Sequence, residues 1–155
     1  MASSPWDTSA LGKLYLPERG SDRALALARD SIIVLSSITP VEFASALRRR
    51  VLMGELTVEQ RDLAYQRFFA DSRGFQFADP NDAIRGLAVK LLHSEPRIAG
   101  RLRALDAIQL ATAIWWFERA TASNIEAGAF IVADRSLREA AVALGLAVEN
   151  PEDYE

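Results

Sequence analysis

The chain has no cysteine, a single histidine and no long apolar run. Without cysteine there is no disulfide, no thiolate metal site and no cysteine nucleophile, and nothing points to an oxidising compartment. His93 ends a helical pattern ahead of "SEP" and reads as a surface residue rather than a ligand. The longest apolar runs, such as "IIVL", fall far short of the roughly 20 residues that a membrane-spanning helix needs. The opening "MASSPWDTSA" has neither the basic nor the apolar segment of an export signal. A soluble, cytoplasmic protein is therefore expected. An excess of positive charge is missing too. Lys and Arg total 18 against 21 Asp and Glu, a formal charge of -3, which argues against a protein that coats nucleic acid. A nuclease stays open, because carboxylates gathered around cations are offset by them.

What is present is enough for one core. A chain of 155 residues, half of them apolar, sits at the common size of a single domain, expected here over 1–155. No repeat, low-complexity stretch or linker interrupts it. Short β-branched or aromatic runs alternate with longer helical patterns, the rhythm of an α/β domain with a mostly parallel sheet. Strands are expected at 31–37, 75–78, 129–133 and 146–150. Helices are expected to start near Ser21, at Thr39, at Thr57 with Gln60 completing a capping box, at Asp79, near Leu105 and at Asp134. Residues 57–92 read as a helical hairpin interrupted by a short strand. Ahead of Asp7 there is only "SSPW", a poor sequence for a central strand.

Four acidic residues stand out, and each has a local explanation. Asp7 and Asp134 precede helical patterns and suit N-caps, and Asp106 lies in the first turn of "LDAIQLATAIWWF". Thr39, Pro40 and Glu42 spell a capping box with proline at the first helical position. Their placement adds a second meaning. Asp7, Glu42 and Asp134 fall where strands give way to helices, the edge at which open parallel sheets bind ligands. Two carboxylates about 4 Å apart repel by roughly 4 kcal/mol at an effective dielectric near 20, against about 1 kcal/mol from a cap. A converging cluster needs cations, and oxygen donors select Mg²⁺ or Mn²⁺.

"DTSALGKLYLPE", "ITPVEFASAL", "LRALDAIQLATA" and "FIVADRSLREAAVALGLAVENPEDY", in this order, resemble the motifs of PIN-domain ribonucleases, in particular the VapC toxins of toxin–antitoxin pairs. The resemblance implies a three-layer α/β/α sandwich with a mostly parallel central sheet. It implies an acidic metal site at Asp7, Glu42, Asp106 and Asp134, supported by Ser9 and Thr8, that hydrolyses RNA with Mg²⁺ or Mn²⁺ to leave a 5′-phosphate and a 3′-hydroxyl. It also implies a homodimer and a cognate VapB-type antitoxin. The sequence departs from the pattern at Gly12, where a bulky aliphatic is common, and at Gln109, where a histidine is frequent.

Arg48, Arg49 and Arg50 are the candidates for gripping an RNA backbone, although three consecutive helical positions fan over most of a turn. Arg97, Arg101 and Arg103 precede the Asp106 helix with the same ambiguity. Trp115, Trp116 and Phe117 read as mostly core. Leu11, Leu14, Tyr15 and Leu16 look too many for one buried face and are expected to leave an apolar surface for the antitoxin. Two rival readings are a degenerate PIN fold that only binds a partner, favoured by the poor first strand, and an aspartate-nucleophile phosphatase, disfavoured because Ser9 stands where a second acid is wanted.

Overall fold

The computed structural model describes residues 1–154. Five short strands make the sheet: β1 (Ala2–Pro5), β2 (Ser31–Ser36), β3 (Gln76–Ala78), β4 (Phe130–Ile131) and β5 (Val148–Glu149). All pair in parallel. β1 runs from Ala2 opposite Ser31 to Pro5 opposite Val34, and β2 continues onto β3 with Val34 opposite Gln76. β4 pairs with β5, and bridges at Ser3–Ala127 and Trp6–Ile131 join the two halves. The order is thus β3-β2-β1-β4-β5, with the poorest strand sequence at the centre.

"ASSP" serves there because tertiary partners take over what β-propensity does not supply. Ser3, buried, accepts the indole N–H of Trp116 at 3.1 Å, and its amide donates to the Glu126 carbonyl at 3.0 Å. Asp7 donates its amide to the same side, to Ile131 at 3.1 Å. Pro5 lies between them on that side and has no N–H to give. The ladder accordingly breaks: one residue more lies between Ala127 and Ile131 than between Ser3 and Trp6, a bulge. Gly128 occupies the bulge, where a Cβ would lie 2.2 Å from Ser4 Oγ.

Among the described residues, seven α-helices surround the sheet: α1 (Thr8–Leu11), α2 (Ser21–Arg29), α3 (Thr39–Leu52), α4 (Val58–Asp71), α5 (Asp82–His93), α6 (Ala104–Ala122) and α7 (Arg135–Ala143). Ile131 packs in a cluster with Trp6, Leu35, Phe43 and Phe68, whereas Phe130 and Val132 pack with Ile84, Leu110 and Leu137. Alternation along β4 puts these clusters on opposite faces of the sheet. α3 and α4 cover the first face and α5, α6 and α7 the second, which is the expected α/β/α sandwich. Among the described residues, no helix is long and apolar enough to cross a membrane.

Several local expectations are corrected. Residues 57–92 are not a hairpin: Ala64 and Phe68 of α4 belong to one cluster and Ile84, Ala88 and Leu91 of α5 to the other, with β3 between them. The Asp79 start gives way to Asn81, whose side chain accepts from the Ile84 amide at 2.9 Å. Leu11, Tyr15 and Leu16 are all buried and Leu14 packs against them, because a 3-10 turn at Gly12–Leu14 redirects the chain after α1. No exposed apolar patch forms in that segment. The Thr57–Gln60 capping box is present, with bonds of 2.9 and 3.1 Å.

Candidate acidic site

Asp7 follows β1 at the point where the sheet order reverses, between the β2 and β4 neighbours. It is 4% exposed and caps α1, accepting the amides of Ser9 and Ala10 at 3.2 Å each. The Ser9 hydroxyl donates to the same carboxylate at 2.7–2.8 Å and accepts the amides of Ala133 and Asp134 at 3.0 and 2.8 Å. One hydroxyl thus fixes the start of α1 against the start of α7. Asp134 is exposed and caps α7 through the Leu137 amide at 2.9 Å.

Glu42 departs from its sequence reading. Helix α3 begins one residue early: the amides of Val41 and Glu42 both donate to the Ile38 carbonyl, and Thr39 is inside the helix. The capping box at Thr39 does not form. Glu42 Oε1 accepts instead from Thr8 Oγ1 at 3.1 Å and from Gln109 Nε2 at 2.6 Å. Gln109, 4% exposed, also reaches Thr8 Oγ1 at 3.2 Å and Thr39 Oγ1 at 3.3 Å. These bonds bring the first turns of α6 to the carboxyl edge of β1 and β2. Asp106 lies there too, its Oδ2 accepting the Arg103 amide at 3.2 Å.

Three of the four carboxylates are raised, each in part by another acid of the group. Burial pushes Asp7 up from 3.8 to about 7 against the hydrogen bonds of Ser9 and Ala10, and the charge of Asp134 raises it further. Glu42 is raised by burial and by Asp106, and Asp106 by burial and by Asp134. Among the described ion pairs none involves any of the four. Among the described residues, no three acidic or histidine side chains are close enough to enclose a metal ion by themselves. The donor set nevertheless fits a hard divalent cation that keeps several of its own waters: it is all oxygen, mutually repelling and unpaired.

The arginines separate. Arg50 is bound to Glu18 at 3.0 Å and Glu55 at 3.1 Å. It lines a cavity of about 260 Å³ that opens beside Thr8, Ser9 and Asp134. Arg48 and Arg49 are exposed and form no ion pair among the described residues. Arg97 pairs with Glu95 at 2.8 Å, Arg101 and Arg103 are exposed, and His93 is on the surface as expected. Trp115, Trp116 and Phe117 are all half-buried. The sequence marked Gln109 only as a departure from a frequent histidine and gave it no role; a polar side chain on the buried, alanine-rich face of α6 was the available signal.

The model of the PIN domain family matches residues 6–143. Among solved structures, FitAcB from Neisseria gonorrhoeae is similar at a TM-score of 0.66 and 16% identity, with 95% of this chain and 96% of that one covered. FitAB bound to an IR36 DNA fragment gives 0.63 and 17%, with 97% and 96% covered. A toxin–antitoxin complex from Klebsiella pneumoniae gives 0.58 and 21%, with 96% and 98% covered. No functionally curated protein matches in sequence. At these identities the structural likenesses speak for the fold, and together with the family match over most of the sequence they lead to one assignment: the chain belongs to the PIN-domain family.

Proposed function

We propose that the chain is a metal-dependent endoribonuclease, the VapC-like toxin of a toxin–antitoxin pair. The observation that carries this reading is the gathering of Asp7, Glu42, Asp106 and Asp134 at one strand edge, three of them with raised proton affinity and none neutralised by an ion pair. PIN domains are generally nucleases, and the Klebsiella pneumoniae structure is itself a toxin–antitoxin complex. Support for a mere binding module weakens, since β1 is formed and positions Asp7 despite its composition.

Asp7, Asp106 and Asp134 would hold Mg²⁺ or Mn²⁺, with Glu42 holding a second ion or orienting the attacking water. Such an ion, when bound, acidifies a water and offsets the charge developing on phosphate oxygens. The chain's own contribution is placement. Ser9 fixes Asp7 relative to Asp134, and Glu42 keeps Oε2 clear of hydrogen bonds from the described residues, available to a water proton. Of the Arg48–Arg50 triplet, Arg48 and Arg49, about two helical turns past Glu42, are left to meet an RNA backbone; Arg50 is engaged elsewhere. The partners in this reading are RNA, a VapB-type antitoxin and a second copy of the chain.

The test is direct. Purified protein incubated with a structured RNA should cleave it in Mg²⁺ or Mn²⁺, leave 5′-phosphates and stop on addition of EDTA. Equal cleavage in excess EDTA would refute the metal, and intact RNA under all conditions would refute the nuclease.

A further inference from the structure

We infer that Gln109 is a positioning residue that makes Glu42 a one-oxygen ligand and thereby biases the site toward Mg²⁺ and Mn²⁺ over Ca²⁺. The inference rests on the metal-site reading above. A carboxylate oxygen offers two lone pairs, and both on Glu42 Oε1 are taken, by Gln109 Nε2 at 2.6 Å and Thr8 Oγ1 at 3.1 Å. Oε2 receives no hydrogen bond from the described residues. The amide cannot turn over, because Gln109 Oε1 would then face the carboxylate. Its second N–H is held by the Thr8 and Thr39 hydroxyls, and Gln109 is too buried to exchange them for water. The amide thus joins the starts of α1 and α3 to α6 around a single carboxylate oxygen.

Mg²⁺ requires near-octahedral geometry with ligands close in, which single carboxylate oxygens and waters satisfy; Ca²⁺ takes six to eight oxygens and often grips a carboxylate through both. With Oε1 occupied, Glu42 has one oxygen to offer. Removal of Gln109 frees Oε1 on one side and lets the side chain swing. Outer partners of metal ligands are worth about 10- to 100-fold in affinity. The loss here falls on the ion that prefers one oxygen.

The experiment is calorimetric titration of Mn²⁺ and of Ca²⁺ into the metal-free full chain, wild type and variants, with no dependence on cleavage. Gln109→Leu should lower the ratio of Mn²⁺ to Ca²⁺ affinity by about tenfold or more. Gln109→His, whose ring N–H can donate to the same oxygen, should retain most of the ratio. Should the leucine variant not fold, Gln109→Asn keeps a buried amide one methylene too short to reach Glu42, and the same drop is expected. Wild type binding Mn²⁺ with a ratio unchanged in the folded Leu or Asn variant overturns the inference and leaves the metal site standing. Wild type binding neither ion removes both.

Discussion

Asp7→Asn in the metal-free protein should be more stable than wild type at pH 8, although it alters a residue of the proposed centre. Asp7 is buried, and its carboxyl is raised from 3.8 to about 7. At about 1.36 kcal/mol per pH unit, the difference (7 − 3.8) corresponds to an upper bound of about 4 kcal/mol for holding the ionised form in the fold. Asparagine caps helices as well as aspartate does, and one oxygen still accepts from Ala10. Its amide nitrogen faces a donor where Oδ2 faced the Ser9 amide, which costs about 1 kcal/mol. The net gain is therefore up to about 3 kcal/mol, or roughly 6 to 12 °C in melting temperature for a chain of this size.

The pH dependence fixes the cause. Between 3.8 and about 7 the folded state holds a proton that the unfolded state releases, so this group's contribution to stability falls as pH rises through that window and is lowest above it. The advantage of Asp7→Asn should thus be largest at pH 8, less than half as large at pH 5 and almost absent near pH 4. Thermal melts in EDTA at these values measure it. Mg²⁺ at about 1,000 times its dissociation constant should reverse the ranking, since it adds about 4.1 kcal/mol to the form that binds it. An Asp7→Asn protein that melts below wild type at pH 8 in EDTA would refute the claim that this carboxylate is a charge held against its preference.

Glu42→Gln should retain acceptor contacts to Thr8 and Gln109 and leave the metal-free melting temperature unchanged or slightly raised, while abolishing most cleavage; wild-type cleavage rates would leave Glu42 without a role in the reaction. Glu42→Ala should cost about 1–3 kcal/mol by stranding the buried Gln109 amide, read by denaturant titration. Gly128→Ala sets a Cβ 2.2 Å from Ser4 Oγ and should cost about 1–3 kcal/mol. Adding Ser4→Ala should recover most of it, because the contacts that remain, to Ser4 Cβ and the Ser3 carbonyl oxygen, are 3.5 and 3.7 Å. Lys13→Met removes a buried ammonium bound to Glu18 at 3.1 Å, Glu152 at 2.6 Å and the Arg19 carbonyl at 2.8 Å. The half-exposed carboxylates regain water, so about 2 kcal/mol is expected rather than the 3–5 kcal/mol of a fully buried pair, with hydrogen exchange rising first at Pro151–Tyr154.

The helix starts at Thr57 and Asp134 and the α/β alternation with a mostly parallel sheet were legible because each depends on signals close in sequence: a side chain within three residues of the amide it caps, and periodicity within one element; the three-layer sandwich came from the family resemblance. What was not legible depended on partners far along the chain. "ASSP" makes a central strand because Trp116 satisfies Ser3 and Gly128 makes room for Ser4, and neither residue is visible from position 3. The Thr39 capping box is locally sound, yet the helix starts on the Ile38 carbonyl, and Thr39 and Glu42 turn to Gln109, 67 positions from Glu42.

These two kinds of information converge at the acids for a geometric reason. In a parallel sheet every strand must be followed by a helix that returns, so helix N-termini collect at the carboxyl edge of the strands, where ligands also bind. Acids favoured there as caps are already at the ligand edge. Asp7, Asp106 and Asp134 each keep a bond to a helix-start amide while repelling another member of the cluster. Glu42 alone makes no such bond, and it is the carboxylate that Gln109 and Thr8 hold in place. Where local capping is absent, tertiary hydrogen bonds do its work, which is why the acid with the strongest capping signature in the sequence is the one whose orientation depends most on the rest of the fold.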